Sequence, residues 1–136
     1  DLTLKKGFYT ITKPSKSDLN NIKKGINYLK KVNAYNHTQA LVIDDSKIIS
    51  LEKRDGTKQM LESIKKNKVK KAILIKMPKS KQDLRVDLPT IGIDTLRDCK
   101  KAGINGIVIK ANQNIFLNRD KSIKFANNNK IFIVAV

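Results

Sequence analysis

An apolar run followed by a long polar stretch and a helix constrains the fold most strongly. Residues 72–75 read Ala-Ile-Leu-Ile, which is typical of a buried strand. Residues 76–87 are mostly polar and end at the Pro-Thr-Ile-Gly of 89–92, and Asp94 or Thr95 is predicted to cap the next helix. Long loops in compact domains are mostly functional, and open α/β sheets bind ligands at the carboxyl ends of their strands. The sequence therefore predicts a functional loop inside a strand–loop–helix–strand unit.

Composition limits the class of protein. The 136 residues suffice for one domain with its own core, and 40% hydrophobic against 30% charged residues predicts a folded chain. The single cysteine, Cys99, cannot form an internal disulfide and indicates a reducing compartment. There is no apolar run of membrane-spanning length, and residues 1–6 lack the apolar core of a signal peptide. We expect a cytoplasmic protein that can associate peripherally with a membrane.

The formal net charge of +17 suggests an anionic partner. Nearly all of the excess is lysine, and the lysines are spread along the whole sequence instead of forming one stripe. Proteins that read bases need arginine forks or exposed aromatic rings, and neither is clustered here. We therefore expect no specific nucleic-acid partner, although a basic nucleic-acid-binding domain stays open as an alternative. The lysines are expected to attract anions, including anionic lipid headgroups.

The first half of the chain predicts a helix and a hairpin after an entering strand or linker over 1–13. Ser15 and Asp18 have the spacing of a capping box, and the apolar stripe of a helix over about 16–32 is formed by Leu19, Ile22, Ile26 and Leu29. Gly25 interrupts that helix, which indicates close packing at this position. Residues 38–43 and 47–52 predict two strands joined by a tight turn at 44–46.

Two other polar features of this half are not predicted to bind metal. Aspartates at hairpin tips usually make local backbone hydrogen bonds, so turn chemistry explains Asp44 and Asp45 better than a metal site does. His37 has no Cys or His partner at ligand spacing.

The second half predicts alternating helices and strands. Helices are expected at about 57–67, around 96–102 and at 120–127, and Gly103 is placed to end the middle one. Strands are expected at 70–77, 106–109, 115–117 and 131–136. The predicted fold is a single α/β domain with a mixed β-sheet flanked by helices and a long functional loop between a strand and a helix.

The polar loop has the composition of a metal-assisted phosphate site. It places the carboxylates of Asp83 and Asp87 among lysines and Arg85. The alternation of Asp83, Arg85 and Asp87 also fits one face of an exposed strand, on which such ion pairs contribute little. The spacing alone leaves both interpretations open.

The string from Lys76 to Thr95, KMPKSKQDLRVDLPTIGIDT, resembles the signature of the DUF1009 family, the UDP-2,3-diacylglucosamine pyrophosphatases of lipid A and lipopolysaccharide biosynthesis. The similarity covers nearly the whole chain. It includes the segment Ser50-Leu51-Glu52 with Gly56-Thr57 and the joint at residues 102–107.

The sequence also departs from the family pattern. Asp55 replaces a Glu, while Lys58 and Lys110 stand where acidic residues are common, so neither lysine can bind a metal. Family members carry a further N-terminal domain. The resemblance therefore implies that residues 1–13 are a linker or entering strand from a missing N-terminal domain, and that 14–136 form the C-terminal catalytic or substrate-binding domain.

The resemblance implies a reaction and a set of roles. The reaction is Mg²⁺-dependent hydrolysis of UDP-2,3-diacylglucosamine to UMP and 2,3-diacylglucosamine 1-phosphate. Asp83 and Asp87 are the expected catalytic and metal-binding residues, with Asp83 favoured, and Glu52 and Asp55 are second metal contributors. The substrate phosphates are expected to contact Lys76, Lys79, Gln82, Arg85 and Thr90. A non-catalytic module that binds a nucleotide sugar or lipid is the alternative of a different class.

Overall fold

A computed structural model describes residues 2–33, 39–78 and 89–136. The strands are β1 (Gly7–Phe8), β2 (Ala40–Asp44), β3 (Lys47–Leu51), β4 (Ala72–Lys76), β5 (Thr90–Ile91), β6 (Ile104–Ile109), β7 (Ile115–Phe116) and β8 (Phe132–Ala135). The helices are α1 (Lys16–Asn33), α2 (Gly56–Glu62), α3 (Ile93–Ala102) and α4 (Arg119–Asn128), with a 3₁₀ turn at Lys66–Lys68. In these ranges no helix has the length and apolar character needed to cross a bilayer.

The main sheet has six strands in the order β1-β8-β6-β4-β2-β3. Strands β4, β6 and β8 are parallel, while β2 pairs antiparallel with both β3 and β4, and β1 pairs antiparallel with β8. The prediction of one α/β domain with a mixed sheet is confirmed. The sequence did not predict the second sheet, in which β5 and β7 pair in parallel.

Helices cover both faces of the main sheet. Helix α1 packs on β2 and β4, while α2, α3 and α4 form a connected layer that contacts β6 and β8. The core under α1 is built from Ile22, Leu29, Leu41, Ile43, Ile73, Ile75, Val108 and Phe132. The core on the other face includes Val42, Leu61, Leu74, Leu96, Cys99, Ile107 and Ile133. The nearly continuous apolar run of β4 follows from this burial on both faces.

Helix α1 begins at the predicted capping box. The Ser15 N–H donates to Asp18 Oδ2 (2.9 Å), and the Asp18 N–H donates to Ser15 Oγ (3.0 Å), so each residue satisfies a donor of the other. The predicted inward stripe is wrong at Leu19, whose side chain is 47% exposed. Leu19 lies at the margin of the buried face of α1, which is centred on Ile22, Gly25 and Leu29. A Cβ at Gly25 would lie 2.3 Å from Ile75 Cδ1, which confirms the close packing predicted there.

The predicted hairpin between β2 and β3 is confirmed. Asp45 and Ser46 form its tip, and both have positive φ, at 48° and 70°, as type I′ turns require. Asp44 is buried, and its carboxylate accepts the N–H groups of Lys70 (3.2 Å) and Lys71 (2.7 Å). Asp44 therefore holds the backbone of Lys70 and Lys71, just before β4, instead of bonding within the turn.

The boundaries of α3 correct one prediction and confirm another. The N-cap residue is Gly92, and Asp94 lies inside the first turn, where it pairs with Arg97 at 3.4 Å. A carboxylate there still stabilises the helix through its dipole, but the predicted capping role of Asp94 or Thr95 is wrong. Gly103 ends the helix with φ at 79°, the left-handed conformation expected of a C-terminal glycine.

Candidate functional site

The carboxyl ends of four strands meet at one edge of the main sheet. Strands β3 and β4 run in the same direction because both are antiparallel to β2, and β6 and β8 are parallel to β4. Lys76 therefore ends β4 at the same edge at which Glu52 follows β3 and Lys110 follows β6. Open α/β sheets usually bind their ligands at such an edge.

Lys76 and Thr90, both predicted to contact substrate phosphates, lie together. The Lys76 ammonium donates to the main-chain oxygen of Thr90 (3.1 Å). Thr90 begins β5, which pairs with Ile115 and Phe116 of β7. The described residues on either side of the polar loop are therefore held in place, Lys76 by β4 and Thr90 by the small sheet.

Glu52 lies at the same edge, two strands away from Lys76. Its N–H donates to the Ala40 oxygen (2.9 Å), and its carboxylate accepts the hydroxyl of Thr57. Since β2 lies between β3 and β4, two strand spacings separate the backbones of Glu52 and Lys76, or about 10 Å. The carboxylate is thus tied to the first turn of α2.

Asp55 lies close to Glu52 in sequence but in a different environment. It is exposed and precedes α2 without making a side-chain capping bond. Gly56, which follows it, has φ at 92°, a conformation that favours glycine. The structure therefore places Asp55 at the turn into α2, with Glu52 on one side and Thr57 on the other.

A fully buried asparagine joins the ends of β4 and β6. Asn114 is 0% exposed. Its Nδ2 donates to the Lys76 oxygen (3.1 Å), and its Oδ1 accepts the Lys110 N–H (2.8 Å). The sequence alone does not single out Asn114, because nothing in the local pattern Ala-Asn-Gln-Asn at 111–114 distinguishes it from Asn112. It fixes the backbone from which the Lys76 side chain projects.

The buried thiol of Cys99 lies beneath this edge and is not suited to nucleophilic chemistry. Burial raises its pKa well above the ordinary value, the charge of Asp98 raises it further, and the charge of Lys76 opposes the shift. A thiol attacks as the thiolate, which this environment disfavours. Cys99 therefore serves as a small apolar core residue.

Five predicted site residues lie outside the described residues, as does His37. These five are Lys79, Gln82, Asp83, Arg85 and Asp87. The structure thus brings Lys76 and Thr90 into contact, places Glu52 and Asp55 along the same edge, and leaves the central roles of Asp83 and Asp87 as predictions.

The described carboxylates do not form a metal site by themselves. Within residues 2–33, 39–78 and 89–136, no group of three or more His, Cys, Asp or Glu side chains is close enough to hold a metal ion. The Glu52 carboxylate is bonded to Thr57.

Comparison with known proteins gives two matches. Residues 5–134 match the family model described as the LpxI C-terminal domain. The chain is also 28% identical, over 144 aligned residues, to the UDP-2,3-diacylglucosamine pyrophosphatase LpxI of Caulobacter vibrioides. The alignment covers 100% of this chain and 51% of that relative, so the chain spans about half the length of the curated relative it matches.

Proposed function

Because the chain belongs to the LpxI C-terminal domain family, we propose that it is one half of an enzyme that hydrolyses the pyrophosphate of UDP-2,3-diacylglucosamine in lipid A biosynthesis. The observation that carries this proposal is the contact between Lys76 and Thr90 at the carboxyl edge of the sheet, on a chain that matches the family along nearly its whole length. Both residues were predicted to contact substrate phosphates.

The reaction needs positive charge and a positioned water. Water attacks one phosphorus of the pyrophosphate, the bridging P–O bond breaks, and the products are UMP and 2,3-diacylglucosamine 1-phosphate. Negative charge develops on the phosphoryl oxygens, and preorganised cations at the reaction centre stabilise it. Lys76 supplies one such cation at the end of β4, and Lys79 and Arg85 of the loop are proposed to supply others. The bidentate fork of Arg85 suits a phosphate group.

The proposal includes Mg²⁺ held by the loop carboxylates. Mg²⁺ binds through one or two carboxylates and retains several waters, so Asp83 and Asp87 match its requirements in number and type. Glu52 is proposed as a further contributor at the same edge and Asp55 as a weaker one, because Asp55 lies at the exposed turn. A bound cation would neutralise charge on the pyrophosphate.

The proposed substrate also implies partners. A diacylated sugar nucleotide combines long acyl chains with a charged head, and sites for such ligands often form between domains. We propose that a second domain, corresponding to the half of the Caulobacter relative that this chain does not cover, completes the cleft. We also propose a cytoplasmic enzyme that meets its lipid substrate at the surface of the inner membrane, where lysines are attracted to anionic headgroups.

The two alternative functions predict experimental results that differ from those of a pyrophosphatase. A module that only binds a nucleotide sugar or lipid would bind substrate and release no UMP in any combination of domains. A nucleic-acid-binding domain would prefer one DNA site over random DNA by about a thousandfold or more. We expect only weak DNA binding, indifferent to sequence and lost steeply with salt.

The test is UMP release from UDP-2,3-diacylglucosamine by the two-domain protein, with Mg²⁺ and with a chelator. We expect UMP in the first condition and little in the second. Hydrolysis that persists in the chelator would reject the metal but keep the pyrophosphatase. Absence of UMP with substrate bound would reject the pyrophosphatase in favour of the binding module.

A further inference from the structure

A basic cavity lies at the end of the sheet opposite the proposed active site. It has a volume of about 310 Å³ and lies where β4, β6 and β8 begin. Three lysines line it together with an apolar floor, namely Lys66, Lys70, Lys100, Ile104 and Ile131. Ile104 is 3% exposed and Ile131 is 2% exposed, so the floor belongs to the core of the domain. Its volume is at the lower end of the range for small-molecule sites.

Tertiary contacts hold the three segments that carry these lysines. The end of α3 packs closely on the 3₁₀ turn, since a Cβ at Gly103 would lie 2.9 Å from both Lys66 Cγ and Val69 Cγ2. The amide of Asn105 donates to the Lys70 oxygen (3.2 Å). The backbone on both sides of the cavity is therefore fixed, and only the outer parts of the lysine side chains are left to adjust.

The lysines of this cavity have no carboxylate partner in the described part of the chain. The structure records no ion pair for Lys66, Lys70 or Lys100 in those residues, and all three are exposed. Asp44, the carboxylate that contacts this segment, is turned inward and accepts main-chain N–H groups of Lys70 and Lys71. Flanking lysines at 65, 68, 71 and 130 add to the positive potential.

We propose that this cavity binds a small soluble molecule that bears two or more phosphate groups. Three ammonium groups from separate segments can each pair with phosphoryl oxygens, and the floor of Ile104 and Ile131 can receive an apolar part of the ligand. Lys100 lies far from Lys66 and Lys70 in the sequence, and only the tertiary structure gathers the three lysines around one concave surface. The site is separate from the edge at which Lys76 and Thr90 lie.

The outer face of α1 provides the matched comparison. It also carries many lysines, including Lys23, Lys30 and Lys31, all exposed. Lys23 and Lys31 border a surface depression of about 390 Å³ on this helix. Every residue that lines the depression is exposed, so it lacks the floor of buried apolar residues that Ile104 and Ile131 provide. A purely electrostatic attraction would act equally on both sets of lysines, whereas a built site would act on one.

The experiment is a titration of ¹⁵N-labelled chain with tripolyphosphate at low salt, followed by amide chemical shifts. We expect the shifts to concentrate at Lys66, Lys70, Gly103 and Asn105. The triple variant Lys66→Gln, Lys70→Gln, Lys100→Gln should weaken binding by at least about tenfold, because charge-assisted bonds are lost. The control variant Lys23→Gln, Lys30→Gln, Lys31→Gln removes the same charge and should change the affinity for tripolyphosphate by less than about twofold.

Several results would overturn the proposal. If both triple variants weaken tripolyphosphate binding equally, net charge alone explains the effect. Chemical-shift changes confined to Lys76, Thr90 and Lys110 would place the anion at the other edge of the sheet. Vesicles of phosphatidylglycerol provide the second source of phosphate. If vesicle binding is lost in the first triple while tripolyphosphate binding is unchanged, the surface faces a membrane instead. Should that triple fail to fold, the exposed single substitution Lys100→Gln must still weaken tripolyphosphate binding measurably.

Discussion

The side-chain amide of Asn114 donates to the main-chain oxygen of Lys76 across 3.1 Å, from a position with no solvent exposure. The same side chain accepts the Lys110 N–H at 2.8 Å, so one residue joins the carboxyl ends of β4 and β6. A buried polar side chain with both ends satisfied holds its partners in one arrangement. In the proposed enzyme, Asn114 is therefore a positioning residue that acts through Lys76.

Replacing Asn114 should loosen this edge. We expect Asn114→Ala to lower the free energy of unfolding by about 1–3 kcal/mol, because the substitution removes two hydrogen bonds and leaves partly buried backbone groups unpaired. Urea denaturation measures the loss. Asn20→Ala, at an exposed position on α1, is the control and should stay within about 0.5 kcal/mol of the parent chain. Equal stability of the two variants would show that the ends of β4 and β6 keep their arrangement without the hydrogen bonds of Asn114.

The loop acid Asp83 should be essential for turnover. In the two-domain protein, Asp83→Ala is expected to lower the rate by about a hundredfold or more while substrate still binds, since it removes a group that acts on the reacting phosphate or its metal. UMP release measures the rate, and equilibrium binding of substrate measures the retained affinity. Glu62→Gln, an exposed site on α2, is the control. Activity near that of the parent would remove Asp83 from the mechanism and direct attention to Asp87.

The isolated chain should be a poor catalyst. The described domain commits most of its aliphatic side chains to its own core, which leaves little apolar surface for two acyl chains. We expect this chain to fold alone but to release UMP much more slowly than the two-domain protein at equal metal and substrate concentrations. Equal rates would place the whole site within these residues and contradict the need for an interdomain cleft.

A methyl group added at Gly106 should destabilise the domain, because the Phe132 ring packs directly against this glycine. A Cβ at Gly106 would lie 2.1 Å from Phe132 Cζ, and the ring is buried. Gly106→Ala should destabilise the domain by about 1–3 kcal/mol, the usual cost of overpacking. Gly92→Ala, whose nearest neighbour would be 3.5 Å away, should cost less. Adding Phe132→Leu to Gly106→Ala should cost less than the sum of the two single effects, and strict additivity would exclude the contact as the cause.

Cys99 should react only when the chain unfolds. Burial raises its thiol pKa, so at pH 8 a chromogenic thiol reagent should label the denatured chain quickly and the native chain very slowly. The variant Asn20→Cys, with an exposed second thiol, should gain one fast reaction in the native state. The raised pKa also predicts how the stability of the folded chain changes with pH. Once the pH exceeds the ordinary thiol pKa, the unfolded chain loses the proton that the folded chain keeps, and stability falls. Rapid labelling of native parent chain would contradict the burial.

The periodic and capping patterns were sufficient to predict most of the elements. Ser15 and Asp18 were paired correctly, and Gly103 was placed at the end of its helix, because these signals act between residues close in sequence. Leu19 was wrongly placed on the inward stripe, since apolar spacing indicates which side of a helix is apolar but not how wide its buried face is. The pairing of β5 with β7 was missed because two-residue strands carry no period of their own.

For the site, the sequence by itself determined the family resemblance and, through it, the chemistry and the loop residues that are proposed. Only the tertiary structure decided that Lys76 holds Thr90, that Asn114 joins β4 to β6, and that Lys66, Lys70 and Lys100 share one cavity. The physical reason is one of range. Propensity, capping and apolar period are set by neighbours a few residues apart, whereas these contacts join segments far apart in sequence that meet only when the parallel strands align their ends.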